Sequence, residues 1–184
     1  MNLLYEGIRW LIEFVYGICG DYGIAIVVIT IIIRLCMIPL NRKQKQTMGS
    51  MGCLLSLLQF PIMIILYNGI RLAIVADVTT VLLPWVPSLL ARDGTYILPA
   101  ITVVVQMLPQ ILPYIGYFKS LNLAKMSMPM LLILLFTNGW FATMIPAGTE
   151  LYYMISGLFT AVEQVIVYIV DAKKINRLSI EFGK

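Results

Sequence analysis

Residues 22–44 read YGIAIVVITIIIRLCMIPLNRKQ, and the fold turns on this stretch. From Tyr22 to Leu40 it is apolar apart from Thr30 and Arg34, long enough to cross a hydrocarbon layer of about 30 Å, and it runs directly into Arg42, Lys43 and Lys45. An apolar run of this length halted by cations reads as a membrane span with its basic end in the cytosol. The composition agrees. Of 184 residues, 60% are hydrophobic and 12% charged, and the mean hydropathy is +0.92. A water-soluble globule is excluded.

Four further apolar runs have span length: 53–69, 96–118, 128–145 and 149–170. With 22–40 they predict five transmembrane helices in a unit covering 22–171, followed by a basic cytosolic tail, 172–184. Lys and Arg set the orientation. Arg42, Lys43, Lys45, Lys119, Lys125, Lys173, Lys174, Arg177 and Lys184 fall on one side, and Arg9, Arg71 and Arg92 on the other. The N-terminus is therefore expected outside and the C-terminus in the cytosol, with Trp10, Trp85 and Trp140 in the outer aromatic belt. Residues 1–21 are too polar to span. Glu6, Arg9 and Glu13 share one helical face, and Leu4, Ile8, Leu11, Ile12 and Val15 form another, which predicts an amphipathic helix lying in the outer interface. A signal peptide is disfavoured by the lack of a cationic start and a small-residue cleavage site. The apolar stretch from Arg71 to Arg92, broken by Pro84 and Pro87, is expected to lie along the same interface.

Several chemistries fall away. The chain has no His, and Cys19, Cys36 and Cys53 have no paired spacing, so His-based triads, His-ligated metals and CxxC motifs are out. It has no GxxxxGK[ST] loop. No enzyme activity, cofactor or metal is expected, and the net charge of +4 is explained by cytosolic loops rather than by a nucleic-acid site.

The charged and amide residues inside the spans carry the functional signal. Arg34 lies six residues before Leu40, about 9 Å from the cytosolic end of its span at 1.5 Å per residue. Gln59, Gln110, Glu163 and Gln164 reach a similar depth on three other spans. In one reading the glutamines are interhelical hydrogen bonds and Arg34 snorkels to the headgroups. In the other, these groups converge on a water-filled cavity open to the cytosol, which removes much of the cost of about 2.5 to 3.5 kcal/mol for an intramembrane Arg. Glu163 has three readings: a counter-ion for Arg34, a protonatable carrier group, or a side chain snorkelling beside Lys173 and Lys174. Pro61, Pro99, Pro109 and Pro113 predict kinks.

Three stretches in order, residues 22–44 above, GCLLSLLQFPIMIILY at 52–67 and MIPAGTELYYMISGLFTAVEQ at 144–164, resemble the YidC-type membrane protein insertases and their mitochondrial and chloroplast relatives. The resemblance implies an all-α polytopic protein of the bacterial inner (plasma) membrane, with five transmembrane helices around a hydrophilic groove open to the cytosol and an N-terminal interfacial helix. Arg34 matches the family's groove arginine and Gln59 the polar residue of its LLQFP stretch. At the start of the last span the family often has Trp, where this chain has Tyr152 and Tyr153. The family's cytosolic hairpin between the first two spans is reduced to residues 41–52, and QTMGSMGC reads equally as a natural short turn or as a deletion scar. The implied function is insertion and sideways release of apolar segments of new membrane proteins through a groove of Arg34, Gln59, Gln110, Tyr153, Glu163 and Gln164. The implied partners are nascent membrane proteins and the lipid bilayer, with a ribosome and a protein-conducting channel as further candidates. A small ion-coupled carrier built on Arg34 and Glu163 is the rival reading, and a structural subunit of a membrane assembly the third.

Overall fold

The computed structural model describes residues 2–48, 64–65, 67–74, 78–114 and 127–182, and among these every regular element is helical. Five long helices follow one another: α1 Asn2–Cys19, α2 Tyr22–Met48, α3 Ile97–Ile111, α4 Met128–Met144 and α5 Ala147–Phe182. A short helical run at 67–73 precedes a turn-rich cap at 78–96, and a 3₁₀ turn, Leu112–Tyr114, finishes α3. α5 packs along both α3 and α2, α1 packs against α2, and α4 packs against α3.

Two apolar windows, Tyr22–Pro39 and Ile97–Tyr114, have the length to cross a membrane, and Met128–Met144 is a shorter apolar helix. Two helices run on beyond the apolar spans read from the sequence. α2 does not stop at Leu40 but continues through Pro39 into the Arg-, Lys- and Gln-rich run to Met48. Arg, Lys and Gln are good helix formers, and the helix carries on through Pro39 despite the backbone hydrogen bond lost there. α5 likewise runs on past Val170 to Phe182, carrying most of the basic tail as helix. Pro99 sits in the first turn of α3, where its missing N–H costs nothing, and the helix gives way to 3₁₀ geometry beside Pro109 and Pro113. Most of the expected second span, the end of the third, and the 49–52 junction lie outside the described residues.

The core is a seam of branched aliphatics. Ala25, Ile26 and Ile29 of α2 meet Ile70, Ala73 and Ile74, the cap residues Leu83, Val86 and Leu89, and Ala147, Leu151 and Tyr152 of α5. The cap thus contributes to the core: Leu83, Val86 and Leu89, three residues apart, plug into the bundle. Asp21 ties it down. As N-cap of α2 the carboxylate accepts from the Ile24 amide at 2.9 Å, and it also accepts from the Thr80 hydroxyl at 2.6 Å and the Val81 amide at 2.8 Å. Gly23 permits this approach, since a Cβ there would stand 2.1 Å from Thr80 Oγ1.

α1 carries three faces. Ile12 is fully buried against the core with Ile8 and Val15 beside it, Arg9 Nε donates to Glu13 Oε1 at 2.7 Å, and Trp10, Phe14 and Ile18 form an exposed apolar row. Trp10 and Phe14 stack at 5.6 Å. Gly20, at φ 71°, reverses the chain into α2.

Candidate functional site

Arg34 sits one turn beyond Thr30 on the inward face of α2 and is only 8% exposed. Its Nε donates to Ser156 Oγ on α5, and Tyr152, Tyr153 and Glu163 lie within electrostatic range of the guanidinium. Glu163, equally buried, comes from the same face of α5 as Ser156, seven residues on. A buried cation costs least where hydroxyls and an opposite charge surround it, and α5 supplies both.

Tyr153 joins the remaining helices. Its hydroxyl donates to Asn138 Oδ1 of α4 at 2.9 Å. Its ring meets Phe141 edge-on at 5.8 Å between centroids. Its main-chain carbonyl accepts from Gln106 Nε2 of α3 at 2.7 Å. The close contact of α3 and α5 depends on Gly157, where a Cβ would stand 2.8 Å from that amide nitrogen. Four helices therefore meet around one cluster: Arg34 from α2, Gln106 from α3, Asn138 from α4, and Tyr152, Tyr153, Ser156 and Glu163 from α5. No group of His, Cys, Asp or Glu suited to a metal occurs among the described residues.

Of the residues expected from the sequence, Arg34, Tyr153 and Glu163 come together here. Gln164 is on α5 with a buried Oε1 that has no hydrogen-bond partner among the described residues. Gln110 is half-buried on α3, one turn beyond Gln106. Gln59 lies outside the described residues. Ser156 and Gln106 were not anticipated. Their signal is the helical face: Thr149, Tyr152, Tyr153, Ser156, Thr160, Glu163 and Gln164 recur at three- and four-residue steps, and Gln106 and Gln110 are one turn apart.

A second polar group lies at the other end of α5. Asp93 accepts from Thr95 N at 2.9 Å, Thr95 Oγ1 at 2.6 Å and Leu98 N at 2.8 Å, bracing the start of α3. Burial alone would raise its pKa, but these bonds outweigh burial and hold it below the ordinary carboxylate value. Asp21 behaves alike: burial raises it, while the Thr80 hydroxyl and the Val81, Ile24 and Gly23 amides together bring it below that value. Glu150 is fully buried and lies beside Thr102 of α3.

Residues 48–174, more than half of the chain, match the family described as 60Kd inner membrane protein. Similar proteins share the name membrane protein insertase YidC. One from Haemophilus influenzae (strain PittEE) is 27% identical over 198 residues, covering 86% of this chain and 35% of that protein. One from Wigglesworthia glossinidia brevipalpis is 27% identical, covering 91% of this chain and 37% of that protein. A third, from Caldanaerobacter subterraneus subsp. tengcongensis, is 27% identical and covers 85% of this chain and 89% of that protein. The chain spans about a third of the length of the first two. The matched region holds the helical run 67–73, the cap, α3, α4 and α5 up to Lys174, so the chain belongs to the 60Kd inner membrane protein family, the family of the YidC proteins.

Proposed function

We propose that this protein is a membrane protein insertase of the bacterial inner membrane. Five spans surround a hydrated groove that opens to the cytosol and to lipid and is closed outside by the cap, with the N-terminus outside and the C-terminus in the cytosol. The groove carries Arg34, Gln59, Gln110, Tyr153, Glu163 and Gln164, with Arg34 bonded to Ser156 and Tyr153 bonded to Gln106 and Asn138 in support of this reading. The observation that supports this reading best is Arg34 itself: a buried guanidinium tethered to Ser156, with Glu163 in electrostatic range, on a helix long and apolar enough to span.

No bond is made or broken in such a process. The short hydrophilic tail of a nascent membrane protein enters the groove, where hydration and Arg34 lower the cost of moving its polar groups through a low-dielectric layer. The adjoining apolar segment moves sideways into lipid, and its burial drives the process at about 25 cal/mol per Å². A membrane negative inside adds about 2.3 kcal/mol per elementary charge per 100 mV for an acidic tail moving outward. Ribosome and channel are further partners in this scheme, delivering the segment as it is made.

The test is reconstitution. Purified protein in lipid vesicles should protect the translocated tail of a single-span substrate from added protease, and empty vesicles should not. No protection above that of empty vesicles overturns the reading. Cysteines placed at 34, 59 and 110 in a chain cleared of native cysteines should react with an impermeant thiol reagent supplied from the cytosolic side, and reaction from the outer side alone overturns the proposed groove.

A further inference from the structure

A cleft of about 260 Å³ opens between the helical run 67–73, the cap and the start of α5. Its walls are apolar: Ile70, Leu89 and Leu90 with Pro146. Its polar lining comes from Tyr67, Arg71 and Thr149. Tyr67 and Arg71 stand four residues apart in one helical run and so share a face, placing a phenol and a guanidinium at the same rim. Arg71 is exposed and has no ion pair among the described residues, and none of the lining residues is acidic. Elsewhere the protein exposes Val81, Trp85, Tyr96 and Trp140, three of them aromatics of the kind enriched at headgroup depth in a bilayer.

We propose that this cleft is a binding site for an anionic phospholipid, with the phosphodiester on Arg71 and Tyr67 and the first part of an acyl chain against Ile70, Leu89, Leu90 and Pro146. The chemistry selects the ligand. A guanidinium engages phosphate oxygens with two parallel N–H donors, while the apolar wall has no use for a free phosphate. The volume suits a headgroup with the first carbons of a chain, leaving the remaining chain in the bilayer. Lipid held here touches the cap, the helical run and α5 together, so its binding energy is shared by three segments that otherwise meet through the aliphatic seam.

The site is independent of the insertase reading and is tested without insertion. Delipidated protein in mild detergent is examined by native mass spectrometry with dioleoylphosphatidylglycerol, dioleoylphosphatidylcholine, dioleoylglycerol or inorganic phosphate. Wild type should retain one phosphatidylglycerol at least ten-fold more tightly than phosphatidylcholine or dioleoylglycerol, as expected for roughly 1.4 kcal/mol of charge-specific binding. Arg71→Gln, on an exposed side chain, should lose that preference while keeping its helix content by circular dichroism. Leu90→Trp, which fills the cleft, should lose the bound lipid. Equal retention of phosphatidylglycerol by wild type and Arg71→Gln overturns the proposal, as does complete competition by inorganic phosphate.

Discussion

Gly157→Ala probes the closest approach of α3 and α5. The new methyl would stand 2.8 Å from Gln106 Nε2, 2.9 Å from Cδ and 3.1 Å from Oε1. All three atoms belong to the far end of a flexible side chain, so the backbone holds and Gln106 turns away. It then gives up its 2.7 Å bond to the Tyr153 carbonyl. Leaving that amide unpaired among helices costs about 1 to 3 kcal/mol. Against this stands the helix preference for alanine over glycine, about 1 kcal/mol. The sum is a loss of about 0 to 2 kcal/mol in the wild-type background. In a Gln106→Ala background nothing obstructs the methyl, and the same substitution should stabilise by about 1 kcal/mol. Reversible unfolding in mixed micelles, followed by circular dichroism as dodecyl sulfate is titrated in, measures all four corners of the cycle. The sign change between backgrounds is the signature. A coupling below about 0.5 kcal/mol would refute the described contact, because residues that touch couple by at least that much.

Arg34→Lys should retain most insertion, while Arg34→Ala loses it for substrates with acidic tails, since an attraction at 4 Å and an effective dielectric near 20 is about 4 kcal/mol before desolvation; equal insertion by both variants across tail charges counts against the electrostatic role. Tyr153→Phe removes the hydroxyl that reaches Asn138 but keeps the edge contact with Phe141, so it should cost about 1 kcal/mol in the same micelle titration. Glu150→Gln keeps the shape of a fully buried side chain while removing the cost of taking an ionisable carboxyl out of water, and should raise stability by about 1 kcal/mol or more; destabilisation would mean that the carboxyl itself is needed. Asp21 has a folded pKa below its unfolded one, so its contribution is full above about pH 4 and disappears as pH falls through the folded value. Wild type should therefore lose melting temperature on acidification more steeply than Asp21→Asn, and parallel curves would remove Asp21 from the acid response.

The helical class and three of the apolar helices were legible because hydrophobic length is a one-dimensional property: 22–40, 96–118 and 128–145 are visible by counting. Where α2 and α5 end was harder to see. Charge marks a membrane boundary, not a helix boundary, and the basic residues after Leu40 and Val170 are themselves good helix formers. At the site, Arg34 and Glu163 stood out because a charge in an apolar run is costly. Ser156 and Gln106 did not, because depth along a helix says nothing of azimuth, and which residues meet depends on rotation about each axis. The cap shows the same limit. Leu83, Val86 and Leu89 recur every three residues but sit among Pro84 and Pro87 in a stretch of turns, and only the folded chain reveals that they plug the bundle.

α5 is a single rod of 36 residues, about 54 Å long at 1.5 Å per residue. Its first two amides, at Ala147 and Gly148, donate to the carbonyls of Ala91 and Leu89 at 2.8 Å, so the rod is hinged to the cap at one end. Rotation about that hinge acts as a lever. A tilt of about 5° displaces Ser156, about 13 Å from the hinge, by roughly 1 Å, and displaces Phe182 by roughly 4 to 5 Å. A displacement of the basic C-terminal end is thereby reduced about fourfold, and a force on it raised about fourfold, at the bond between Ser156 and Arg34. A force applied at that end would act with mechanical advantage on the buried guanidinium of Arg34.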